Sequence, residues 1–131
     1  MYKKITMHNA KGEDIEVEFL ANAATPLRYK AIFRKDLLTQ FANAKSEDND
    51  KIKLDIDFLP ELAFLMSMQA EAFSNPEVKL DKLAPENIVD WLEKFDSLEI
   101  ENHAEDILSV YYGNTDTTST SKKNTDEQTE S

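Results

Sequence analysis

Catalysis or tight ion binding requires nucleophiles, bases, metal ligands or phosphate cradles, and this sequence supplies few of them. It has no cysteine, and its two histidines are His8 and His103. Cysteine nucleophiles, disulfides and thiolate-bound metals are therefore excluded. A serine nucleophile wants a histidine base within reach. His8 falls on the polar side of an alternating stretch, and His103 lies in the charged run Glu99–Asp106, so both are expected as exposed polar residues. The two glycines, Gly12 and Gly113, stand alone, so no phosphate-cradling loop can be built. Asp48, Asp50, Asp55 and Asp57 gather around Lys51 and Lys53. A calcium loop needs oxygen ligands at fixed spacing, a central glycine and a closing glutamate; here the glycine is missing and the spacing is wrong, so the cluster reads as a solvated acidic loop. No carboxylate pair is singled out for acid–base work. No enzyme, metal or cofactor is expected.

What stands out is apolar. Phe64, Met66 and Met68 lie on a segment that is apolar in nearly every helical direction. Methionine adapts to irregular partners, and it also fills cores. Trp91 sits at core spacing, whereas Tyr112 falls off the stripe of its helix and is a candidate contact. Arg28, Lys30, Arg34 and Lys35 form a basic run that can steer an acidic partner or simply face solvent. Candidate partner-binding residues are therefore Arg28, Lys30, Arg34, Lys35, Phe64, Met66, Met68 and Tyr112.

The elements that must position these residues follow from periodicity. Residues 3–8 and 13–20 alternate apolar and polar, with Ile5 and Met7, then Ile15, Val17 and Phe19, on one face. Asn9-Ala10-Lys11-Gly12 lies between them, which predicts a β-hairpin. A lone hairpin is marginally stable, so its apolar face must pack on the helices that follow. Thr25-Pro26 reads as a helix start with Thr25 as cap, and Leu27, Ile32 and Phe33 as inner positions. Asp36 is expected to cap a second helix with Leu37, Leu38 and Phe41 inside. Asn43–Asp50 reads as a loop. A long helix runs from Phe58 to Phe73 with Pro60 in its first turn, and Asn75-Pro76 ends it. Pro85 opens a helix carrying Ile88, Val89, Trp91, Leu92 and Phe95. A last helix carries Leu98, Ile100, Ala104, Ile107, Leu108 and Tyr111, and Gly113 stops it.

The expected fold is α+β and mainly helical, an N-terminal β-hairpin packed on a bundle of about five helices. Residues 1–113 form one domain, and 114–131 form a disordered polar tail, because Thr115–Ser131 has no apolar residue with which to offset its ordering entropy. The net charge is −11. Residues 1–45 carry +3 of it and residues 46–113 carry −12. An acidic body repels phosphate, so no nucleic-acid partner is expected. No apolar run reaches the roughly 18 residues of a membrane helix. No continuous apolar stretch follows Met1-Tyr2-Lys3-Lys4, so no secretory signal is expected either.

Three stretches together carry a family resemblance. They are Ala23–Phe33 (AATPLRYKAIF) with Lys35–Leu38 (KDLL), the central Leu62–Ala72 helix, and Tyr112-Gly113-Asn114-Thr115 leading into Thr117–Lys123. The chain resembles the tail assembly chaperones of long-tailed bacteriophages and prophages of Gram-positive hosts. The resemblance implies that it binds the tape measure protein in the host cytoplasm, keeps its apolar helices soluble, and is absent from the mature virion. It also implies a frameshifted, extended form that recruits tail tube subunits, with Lys122-Lys123-Asn124 as the expected slippage point, and it admits a homo-oligomer. The alternative reading is a non-catalytic acidic interaction module, a decoy or inhibitor. Its carboxylates would stand in rows on one face, whereas here they scatter between apolar positions.

Overall fold

The computed structural model describes residues 1–44 and 58–113. The acidic cluster at 48–57, most of the expected 43–50 loop, and the expected disordered tail from 114 onward lie outside the described residues. Strands β1 (Tyr2–His8) and β2 (Asp14–Leu20) pair antiparallel, with Ile5 opposite Val17 and Met7 opposite Ile15. The alternation works as expected. Ile5, Met7, Val17 and Phe19 are buried, and Lys4, Thr6 and Glu16 face out. The turn holds because the Asn9 side-chain oxygen accepts from the N–H groups of Lys11 and Glu13, both at 2.9 Å. Gly12 then adopts φ +83°, which a side chain would resist.

Six helices follow among the described residues. They are α1 (Thr25–Phe33), α2 (Leu37–Ala44), α3 (Phe58–Ser74), α4 (Asn87–Leu92), α5 (Glu99–Asn102) and α6 (Ala104–Tyr112), with a short 3₁₀ turn at Leu80–Lys82. The protein is an α+β, mainly helical fold with its hairpin packed on the helices. The expected last helix is split in two at His103, whose backbone leaves the helical region.

Helix α3 is the centre. Strand β2 packs along it, and α1, α4, α5 and α6 also contact it. Leu62, Ala63, Leu65 and Met66 have no exposed surface, and Phe58 and Phe64 are equally enclosed. Aromatic edges join the layers. Tyr29 meets Phe58 at 6.1 Å between centroids, Phe33 meets Phe64 at 6.5 Å, and Phe64 meets Trp91 at 5.9 Å. Each fully buried large side chain contributes about 1.5–3 kcal/mol by leaving water.

Several sequence expectations need correction. Leu27 is 74% exposed, because α1 turns the stripe Thr25, Tyr29, Ile32 and Phe33 toward α3 and Leu27 falls on the other side. Leu38, Val89 and Leu98 are exposed for the same kind of reason, each standing away from the inward residues Leu37, Trp91 and Ile100. Thr25 does not cap α1. It lies inside the helix, buried, and its hydroxyl oxygen accepts from the Asn22 N–H at 3.0 Å. Asp36 does cap α2, since its carboxylate accepts from the Leu38 N–H at 3.0 Å. No helix among the described residues is long and apolar enough to cross a membrane.

The packing predicts a sharp contrast between two leucines. Leu62→Ala should cost about 2–5 kcal/mol because it leaves a cavity in α3. Leu27→Ala should stay within about 0.5 kcal/mol. Urea unfolding midpoints of the two variants check this.

Candidate functional site

The C-terminal half of α3 emerges from the core, and apolar grooves open on two sides of it. On one side Leu27, Ala31 and Ile32 of α1 face Val78, Leu80 and Leu83 across Ala72 of α3, enclosing a groove of about 660 Å³. The sequence builds it in two steps. Leu27 and Ala31 are one helical turn apart on α1, so they present one outward stripe. Pro76 then cannot continue α3, and the chain turns back through the Val78 N–H to Asn75 carbonyl bond at 3.1 Å. On the other side Tyr2, Leu20, Ala70 and Phe73 border a second groove of about 480 Å³. Phe73 stands on its rim and is 86% exposed.

One buried amide sets the geometry between the grooves. Gln69 is buried, and its Nε2 donates to the Leu20 carbonyl at 2.8 Å and to the Thr25 hydroxyl at 3.0 Å. Its Oε1 accepts from Arg28 Nη1 at 3.0 Å. Arg28 is thereby fixed at the lip of the first groove rather than left to sweep solvent.

The candidate contact residues do not converge. Phe64 and Met66 are core side chains, 1% and 0% exposed, so the structure corrects their expected role as surface contacts. The periodicity could not say that β2 and four helices would close over α3 at Phe64 and Met66. Met68 is partly buried beside Leu83 and Trp91. Tyr112 is half-exposed, and its ring lies 4.8 Å from that of Phe41. The basic run is also divided. Arg28 serves Gln69, and Lys35 pairs with the buried Glu61 at 3.2 Å, where the Tyr29 hydroxyl also donates at 2.7 Å. Lys30 and Arg34 stay exposed.

The histidines were expected as exposed polar residues; His8 is exposed, His103 is partly buried, and the sequence did not show that they share a partner. Both converge on one buried carboxylate, Glu99, which is 4% exposed. Its Oε2 accepts from the His8 main-chain N–H at 2.8 Å and stands 3.2 Å from His8 Nδ1 and 2.8 Å from His103 Nε2. Asp14 lies 3.3 Å from the far nitrogen of His8. Burial alone would push the Glu99 carboxyl up. The His8 N–H and the two imidazoles outweigh it and hold the group below the ordinary 4.5. The cluster ties β1 to α5 and α6. The four-residue spacing of Glu99 and His103 was visible in the sequence, but the arrival of His8, 91 residues away, was not. No group of three or more His, Cys, Asp or Glu among the described residues is placed to hold a metal ion.

No family model matches the chain, and no curated protein or solved structure matches it either.

Because the Glu99 carboxyl is held down in the folded state, its stabilisation is full above pH 4.5 and is lost as pH falls through the lower folded value. The difference in urea midpoint between the parent protein and Glu99→Gln should therefore be constant from pH 6 to about 5 and shrink toward pH 3.

Proposed function

We propose that this chain is a tail assembly chaperone of a long-tailed bacteriophage or prophage, which binds helical segments of the tape measure protein and keeps them soluble in the host cytoplasm until the tail tube forms around them. The observation that carries the reading is the groove between α1 and the 77–83 segment, together with the exposed Leu27 beside it. Its volume lies within the range of about 300–1,000 Å³ typical of binding clefts. An amphipathic helix presents such a cluster at i, i+3, i+4 and i+7.

The surrounding charge supports the same class of partner. Arg28, Lys79 and one acid, Asp81, line the groove, Lys30 stands exposed on α1 and Arg34 just beyond its end, in a protein whose net charge is −11. Helices with an apolar stripe flanked by acidic residues complement that setting. The small apolar area gives modest affinity per site, which suits a chaperone that must later release its client. The frameshifted form that recruits tail tube subunits, and exclusion from the finished virion, belong to the same proposal and rest on the family resemblance.

Co-expression tests it. A tape measure protein from the same genome, co-expressed with this chain, should stay soluble and co-purify with it. Leu27→Asp combined with Lys30→Glu should abolish the complex while leaving the circular dichroism spectrum intact. A tape measure protein that aggregates equally with and without the parent chain removes the chaperone reading. A complex that survives both substitutions moves the contact away from this groove.

A further inference from the structure

The hairpin register decides which main-chain groups point away from the sheet. Met1 and Ala21 exchange both bonds, the terminal ammonium donating to the Ala21 carbonyl at 2.6 Å and the Ala21 N–H donating to the Met1 carbonyl at 2.8 Å. Bonded pairs alternate along an antiparallel ladder, so Lys3–Phe19, Ile5–Val17 and Met7–Ile15 turn their N–H and C=O groups toward each other. Asp14, Glu16, Glu18 and Leu20 therefore turn theirs outward. Gln69 occupies the Leu20 carbonyl at 2.8 Å. On the opposite edge His8 is occupied, its N–H by Glu99 and its carbonyl by the Asp96 N–H at 3.1 Å. No described residue meets the main-chain groups of Glu16 and Glu18.

This open edge faces a trough. One hollow of about 310 Å³ lies between Glu16, Val17 and Glu18 and the α3 residues Ser67, Glu71 and Ser74, with Trp91, Lys94 and Phe95 also in its lining. It shares Glu18 and Ser74 with the groove at Leu20, Ala70 and Phe73. Strand β2 forms one wall and α3 the other.

We propose that this trough binds an extended segment of another protein as a third strand on β2, one that alternates apolar residues with Lys or Arg. Two features select that chemistry. Side chains on the inner face of an added strand would enter the hollow that Val17 and Trp91 line, where apolar groups leave water. Side chains on its outer face would stand next to Glu16 and Glu18, where a cation gains and an anion is repelled. A second copy of β2 would set these glutamates against their own equivalents, so the edge is protected from pairing with itself. The site is separate from the α1 groove and does not depend on the chaperone reading.

The test uses the full chain and a fluorescein-labelled peptide of alternating lysine and valine. Saturable binding by anisotropy is expected, with slowed amide exchange at Glu16 and Glu18. Two twins, N-methylated on the lysines or on the valines, separate strand pairing from plain charge attraction. One twin should bind at least about tenfold more weakly than the other. The Glu16→Lys/Glu18→Lys double variant, and Ser74→Trp, which fills the trough, should each weaken the parent peptide by about tenfold or more with unchanged circular dichroism. The proposal is overturned if the parent peptide does not saturate or if both twins bind alike. Protection at Tyr2, Lys4 and Thr6 instead, or a self-associated chain that already protects Glu16 and Glu18, overturns it as well.

Discussion

Helix α3 carries apolar side chains in every direction, and any side of it left in water would expose several of them. Enclosure of this one helix is the constraint that arranges everything else. The hairpin supplies one cover through Val17 and Phe19, and α1 supplies another through Tyr29, Ile32 and Phe33. Trp91 on α4, Ile100 on α5 and Ile107 on α6 close the remaining sides. None of these short elements could stand alone. A two-stranded hairpin and helices of four to nine residues all lie below the length at which isolated elements persist in water.

Apolar burial does not by itself fix how the covers are placed, since it is not directional. Three buried polar side chains add direction. Gln69 joins the end of β2, the start of α1 and Arg28. Glu61 joins α3 to Tyr29 and Lys35. Glu99 joins β1 to the two short C-terminal helices. Each would be costly if left unpaired, so each favours one arrangement of its neighbours over alternatives that bury the same apolar area.

The enclosure is incomplete at the C-terminal half of α3, and both binding proposals concern that region. Ala72 floors one groove while Ala70 and Phe73 border the other, so a single helix contributes to two surfaces of different character. The first is lined by side chains from α1 and the 77–83 segment and suits a helical client. The second runs beside an open strand edge and suits an extended one. Phe73 is the common sign that the outer turns of α3 are not core, whereas Phe64 and Met66, two turns deeper, are sealed.

The amino-acid sequence alone determined most of the element types and several of their ends. Period-two alternation fixed the hairpin, Gly12 and Asn9 its turn, Asp36 the start of α2, and Pro60 with Asn75-Pro76 the limits of α3. These are local effects of backbone sterics and short-range hydrogen bonds, and they are written in neighbouring residues. The all-round apolarity of α3 likewise announced that it would be central. Which apolar residues stayed outside was decided by tertiary structure. Leu27, Leu38 and Phe73 are chemically like the buried leucines and phenylalanines, and only the direction from which a neighbouring element arrives separates them. The joining of His8 to Glu99 was decided in the same way, because it depends on where a strand and a helix 91 residues apart come to lie. Sequence periodicity measures direction around one element's own axis, and it holds no information about what stands opposite.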